Sequence, residues 1–190
     1  MKTLENMKVG MRPGLGFAAL LAIQLLIAGI GLRQMSQLAD HVNLITEVGE
    51  AKSRTLIEVS ANINGRAFAA RNLVLLSGPA AQKPDLDRVK SAQVGIDKGM
   101  EKLAALTKDS ASSTAEERKM LDQLRSLEAS YLPIATKIVA LATTQKTEDA
   151  VRALTQECMP LLSQVIAHVG AFDDLLNRES VASAAAATGV

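Results

Sequence analysis

The sequence predicts an all-α fold: an up-down-up-down antiparallel four-helix bundle preceded by a single transmembrane helix continuous with the first bundle helix. Three observations carry that expectation. A run of twenty uncharged residues lies close to the N-terminus. Beyond it, apolar residues recur every three or four positions rather than every two. The chain is interrupted only by short turn-forming stretches, of the length that joins neighbouring antiparallel helices.

Composition narrows the field from the other side. Of 190 residues, 48% are hydrophobic and 22% charged, and 21 basic residues face 20 acidic ones for a formal charge of +1. That balance excludes a nucleic-acid binder held by bulk positive charge, and the apolar content excludes a disordered chain. Aromatic residues are scarce, namely Phe17, Phe68, Phe172 and Tyr131, with no tryptophan. A β-sandwich or a base-stacking surface relies on more aromatic area than this. The single cysteine, Cys158, can form neither an internal disulfide nor a Cys-rich zinc site.

The uncharged run is Pro13 to Leu32, PGLGFAALLAIQLLIAGIGL. As a helix rising about 1.5 Å per residue it reaches roughly 30 Å, the thickness of a bilayer's hydrocarbon core. Lys2, Lys8 and Arg12 precede it, so residues 1–12 are expected in the cytoplasm and the remainder outside. A cleaved signal peptide is the rival reading, but Gly29-Ile30-Gly31-Leu32 offers no small-x-small cleavage site.

The first bundle helix carries Met35, Leu38, Val42, Ile45, Leu56, Val59, Ile63, Ala70 and Leu73, and ends at Ser77-Gly78-Pro79. A second helix is expected to start at Pro84 and to bury Leu86, Val89, Ile96, Leu103 and Leu106. Asp109 to Thr114 reads as a loop. Thr114 then caps a third helix, with Glu117 completing a capping box and Met120, Leu124, Leu127, Tyr131, Ile134, Ile138 and Leu141 forming the seam. Thr143 to Thr147 is a turn with Thr147 as N-cap. The fourth helix presents Val151, Leu154, Cys158, Leu161, Val165, His168, Phe172 and Leu175. Pro133 and Pro160 fall inside helices and should kink them.

Little in the chain can carry covalent chemistry. A di-iron bundle needs inward Glu-x-x-His pairs, whereas His41 and His168 stand alone. Covalent haem needs Cys-x-x-Cys-His, and no nucleophile motif is present. The expectation is therefore no enzyme, no metal and no cofactor, with a cytochrome-type bundle binding haem through His168 and a methionine as the remote rival. Cations on the apolar stripe are more informative. The 3-4 spacing of the first helix places Lys52 and Arg66 on the seam, where an unpaired charge is costly. Arg66 needs a carboxylate partner, a water-filled gap or a ligand. Arg71 lies five residues on, about 140° round the helix, so the two face one anion only from opposite subunits of a dimer. Pairing with neighbouring Glu or Asp, or reaching solvent, is the other reading of both.

At this point the residues resemble a known family. MKVGMRPGLGFAALLAIQLLIAGIGL is similar to the opening of bacterial methyl-accepting chemotaxis receptors. Arg71-Asn-Leu-Val-Leu-Leu-Ser-Gly resembles the end of the first helix of their four-helix-bundle sensor domain. TEDAVRALTQECMPLLSQV resembles their fourth helix, mid-helix Pro160 included. The resemblance implies a homodimer that grips a small organic acid or amino acid with arginines of the first helix and a threonine of the fourth. The matching positions here are Arg66, Arg71 and Thr155. A third family arginine would fall at Leu75, a departure that points away from amino-acid specificity.

The resemblance further implies a domain order of residues 1–12 cytoplasmic, 13–32 transmembrane and 33–190 a periplasmic sensor, truncated before the family's second span. The implied location is the bacterial inner membrane. A full-length receptor would engage a coupling protein and the chemotaxis histidine kinase, and no nucleic acid. The alternative is the input domain of a sensor histidine kinase or cyclase.

Overall fold

The structure, a computed structural model, describes the backbone of residues 11–109 and 112–188. Side chains are described at 17, 21, 23–30, 33, 47–109, 112–183 and 185. All regular structure among these residues is helical: α1 Met11–Leu75, α2 Pro79–Leu106, α3 Ala115–Thr143, α4 Thr147–Arg152, a π-helical segment Ala153–Cys158, and α5 Met159–Thr188. The last three follow one another without a break and form the fourth rod. The chain divides into two compact units, Met1–Asn43 and Leu44–Val190.

In the first unit α1 runs through the predicted span, and Phe17, Leu21, Ile23, Leu25, Leu26, Ile27 and Ile30 are exposed. Among the described residues no helix is long and apolar enough to cross a membrane. Half of the 13–32 segment, the flanking Lys2, Lys8 and Arg12, and the expected seam residues Met35, Leu38, Val42 and Ile45, together with His41, lie outside the described side chains.

The second unit is the bundle. On α1 the buried stripe is Lys52, Leu56, Val59, Ile63, Arg66, Ala70 and Leu73, alternating steps of four and three. α1 donates to α2 through Arg66 and Gln93, and to α5 through Ser53 and Asp173 at 2.7 Å. Lys52 meets Glu117 and Arg66 meets Glu128, so α1 and α3 run in the same direction across the interior. Between α1 and α2 the backbones approach closely. A Cβ on Gly99 would meet Val59 Cγ2 at 2.3 Å, and one on Gly95 would meet the Asn62 side chain at 2.7 Å. The small residues here set the spacing of the two helices.

Helix ends explain several departures from expectation. α2 begins at Pro79, five residues before the predicted start, because Gly78 adopts φ +90° and turns the chain directly into the next helix. Gly78 thus serves α2 as N-cap and does not close α1, while Pro84 sits inside α2. Buried Gln82 then donates to the carbonyls of Leu73, Leu76 and Ala142 at 3.3, 3.0 and 3.2 Å. Those of Leu73 and Leu76 are carbonyls that the end of α1 leaves without helical partners, while that of Ala142 also takes part in the closure of α3. At the end of α3, Gln145 is left-handed with φ 60°, Gln145 N–H donates to Ala142 and Lys146 N–H to Leu141. This is a Schellman closure built on a non-glycine residue. Lys146, one residue before the expected Thr147, is the N-cap of α4.

Three seams differ from the sequence reading. On α2 the buried line is Gln82, Asp85, Ala92, Ile96, Gly99, Met100 and Leu103, while the expected Leu86, Val89 and Leu106 are only partly buried. On α3 the fully buried line is Glu117, Leu121, Leu124, Glu128, Tyr131, Ala135, Ile138 and Ala142. Met120, Leu127, Ile134 and Leu141 are only partly buried against it. On the fourth rod Ala150, Ala153 and Cys158 are buried while Val151 is exposed. Five residues separate Ala153 from Cys158, about 140° off in an α-helix but close to one full turn where hydrogen bonds run from i to i+5. Met159 N–H reaches back to Leu154, a bond of that kind, one residue before Pro160. The widened turn lets the chain pass its proline and shifts the inward phase of everything before it. α3 passes Pro133 without interruption.

Candidate functional site

Two charged layers cross the apolar interior, each with a cation from α1 and a carboxylate from α3. In the first, Arg66 is 1% exposed and pairs with Glu128 through both ends of its guanidinium, at 2.5 and 2.8 Å. A two-pronged arrangement of this kind is the strongest form of charge-assisted hydrogen bond. Gln93 of α2 accepts from the same guanidinium, and the Tyr131 ring lies beneath it, 4.8 Å from Cζ to the centroid. The Cys158 thiol donates to the Tyr131 hydroxyl at 3.5 Å. Burial, reinforced by that contact, pushes the phenol far above its ordinary pKa, so Tyr131 stays neutral. Arg66 Nε is buried without a partner.

In the second layer Lys52, also 1% exposed, donates to Glu117 at 2.6 Å and to the Ser112 carbonyl at 2.5 Å. Glu117 N–H donates to the Thr114 hydroxyl at 3.1 Å, so Thr114 caps α3 as expected. The Glu117 carboxylate, expected to turn back and complete a capping box, instead reaches inward to Lys52. A buried lysine outbids an exposed backbone donor for that carboxylate.

The three residues singled out from sequence are not gathered within one chain. Arg66 points into the bundle, with its carboxylate supplied by Glu128. Arg71 is exposed, its guanidinium 5.9 Å from the Phe68 ring centroid. Thr155 is exposed on the π segment, and its hydroxyl donates to the Val151 carbonyl at 2.9 Å. Arg71 belongs to a second stripe on α1, Ile57, Ala61, Asn64, Phe68, Arg71 and Leu75, which repeats steps of four and three and is exposed throughout. α1 therefore has two heptad faces, one buried in its own bundle and one open.

Glu128, Gln93 and Gln82 escaped the sequence reading, and Glu117 was read as a cap and not as the partner of Lys52. The signal for two of them was present: the α3 series from Glu117 to Ala142 alternates four and three without a fault, but it contains two glutamates and two alanines. His168, expected on the seam, is half-buried with Nε2 2.8 Å from the Met120 carbonyl. Among the described residues no group of three or more His, Cys, Asp or Glu is placed to hold a metal.

Comparisons with known proteins agree with this architecture. Residues 6–188 match the family described as "Four helix bundle sensory module for signal transduction". A solved structure, the periplasmic sensor domain of a sensor histidine kinase, shares the fold with a TM-score of 0.65 at 14% identity, covering 76% of this chain and 94% of that one. No curated protein is significantly similar to the chain.

Proposed function

The chain belongs to the four-helix-bundle sensory modules of signal transduction, and from that premise we propose that it is the extracytoplasmic ligand-sensing part of a bacterial chemotaxis transducer. In this reading residues 13–32 anchor it in the inner membrane and residues 33–190 lie in the periplasm. Two copies pair through α1, and a small carboxylate or amino acid binds at their interface. The module binds and transmits; it does not catalyse.

The observation that carries the proposal is the open heptad stripe from Ile57 to Leu75. Leaving Ile57, Phe68 and Leu75 in water is unfavourable by the area rule, and a second copy offering the same stripe covers them around a two-fold axis. Arg71 is the one cation on that stripe, so pairing brings two guanidinium groups, one from each copy, towards a shared anion. Thr155, exposed on the fourth rod, supplies a hydroxyl. Arg66 joins such a site only by releasing Glu128, which makes Arg71 the residue on which recognition should depend most. A ligand shifts the fourth rod only as far as its affinities for the two arrangements differ.

Calorimetry of the full chain against a panel of organic acids and amino acids tests this reading. A ligand bound by wild type and lost in Arg71→Ala supports it. Binding of that ligand unchanged in both Arg71→Ala and Thr155→Ala overturns the site. The solved periplasmic domain with this fold favours a second reading, the input domain of a sensor histidine kinase or cyclase. Coupling to a kinase output in place of a receptor's signalling hairpin distinguishes the two.

A further inference from the structure

We propose that Glu179, Glu117 and Lys52 form a proton-operated latch, in which one proton shared by the two carboxyl groups ties the C-terminal half of α5 to α1 and α3. The site is a cavity of about 170 Å³ lined by Lys52, Ser112, Thr114, Glu117, Glu179 and Ser183, among others. Glu179 and Ser183 continue the inward line of α5 that begins at Val165, Val169, Phe172 and Leu176, so the latch closes the stripe where its apolar residues run out.

The reasoning is a count of donors and charges. Lys52 supplies one positive charge, and Glu117 takes it at 2.6 Å. The remaining contact of Lys52 is the Ser112 carbonyl. Glu179 Oε1 accepts from the Thr114 hydroxyl at 2.9 Å, while Oε2 is buried and has no donor. With both carboxyls ionised, the cavity holds an unbalanced negative charge and two acceptors facing each other. One proton on Glu179 removes the charge and creates the missing donor, which Glu117 accepts. Burial, followed by this hydrogen bond to Glu117, raises the Glu179 pKa above the usual carboxylate range.

Among the described residues that line the cavity, no other charged group faces Glu179. From α1 the charged group facing Glu179 is Lys52, and from α3 it is Glu117. The preceding loop contributes Ser112, Ser113 and Thr114, while nearby Arg118 is turned to the Ser113 carbonyl at 3.0 Å. On α5 itself the lining neighbours are Leu176, Ser180 and Ser183, all uncharged. Neither Arg71 nor Thr155 takes part, so the latch stands or falls apart from the ligand reading.

Because the folded-state pKa is raised, the latch contributes its full stability below the ordinary carboxylate range. That contribution is lost as pH rises through the raised value. Above it, two like charges share the cavity and the end of α5 is pushed away from α1 and α3.

The test is thermal unfolding of the full chain in lipid nanodiscs from about pH 4 to about pH 8, a range that brackets the carboxylate reference of about 4.3. The wild type should lose several degrees of melting temperature across the Glu179 titration, which carbon-13 shifts of the carboxyl group follow directly. Glu179→Gln keeps a donor that does not titrate and should hold its low-pH melting temperature throughout. Glu179→Leu fills the cavity without a proton site, so it should lose the pH step even if it settles at a different stability. Amide exchange at residues 176–183 should accelerate with pH in the wild type alone. An unshifted Glu179 titration, or pH profiles that run parallel in wild type and both variants, would overturn the latch.

Discussion

Lys52 and Arg66 stand fourteen residues apart on α1, two complete heptads, and each finds its carboxylate on α3. Both cations occupy positions that the repeat reserves for leucine or isoleucine. Buried pairs of this kind add little net stability, since desolvation cancels most of the attraction. What they do enforce is register, because a slip of α1 against α3 would leave four charges without partners. That asymmetry between losing one partner and losing both leads to the first prediction.

Glu128→Ala leaves the Arg66 guanidinium uncompensated and should destabilise the bundle by about 3–5 kcal/mol. The double variant Arg66→Met, Glu128→Leu should match or exceed the wild type. Urea unfolding of the single and double variants decides the matter. A double variant as unstable as Glu128→Ala would mean that the layer stabilises in its own right.

Gln82 should matter for a different reason. Its amide serves three carbonyls where α1 and α3 end. Gln82→Leu keeps the volume but strands the Leu73 and Leu76 carbonyls, while that of Ala142 keeps the Gln145 N–H; a buried group left unsatisfied costs about 1–3 kcal/mol. Amide exchange should quicken around Leu76 and Ala142 more than at Leu56. Uniform loss of protection would show that Gln82 acts by packing alone.

Gln145 is held at φ 60° without glycine's freedom. A left-handed non-glycine residue costs about 1–2 kcal/mol, so Gln145→Gly should raise stability by up to about 1 kcal/mol after its own entropy loss. Gln145→Ala retains the strain and is the control. Equal gains from both changes would contradict the strain argument.

Gly99 and Gly65 make a matched pair. Nothing lies within 4 Å of a Cβ placed on Gly65, whereas one on Gly99 collides with Val59. Gly65→Ala should therefore stabilise by about 0.5–1 kcal/mol through helix propensity. Gly99→Ala should destabilise by about 1–3 kcal/mol through overpacking between α1 and α2. Measured melting temperatures moving in the same direction would refute the close approach.

The fold was legible in the sequence because aliphatic heptads and turn residues are local signals. The stripe from Leu56 to Leu73 and the loop before Thr114 could both be read directly, and Lys52 and Arg66 stood out as cations on that stripe. Their partners did not, because Glu128 looks like a solvated residue until the α3 line is drawn through Leu121, Leu124 and Ala135. Apolar neighbours such as Met120 and Leu127 drew the seam to the wrong flank. Glu117 also had a credible local use as a cap. Only the approach of α1, which joins positions 65 residues apart, decides where its carboxylate goes. The inward phase of the fourth rod was hidden for another reason: a π turn adds one residue without any composition signal.

That surplus residue has an evolutionary consequence. Positions 147–152 and 159–176 obey two different registers, so substitutions tolerated on one half do not predict those tolerated on the other. Loss of a single residue between Ala153 and Cys158 would bring Ala150, Ala153 and Cys158 onto an ordinary α-helical face, converting a bulged rod into a straight one with the same core. The segment is thus a point where one residue can be lost without rebuilding the bundle, and it is where a shorter related chain is to be looked for first.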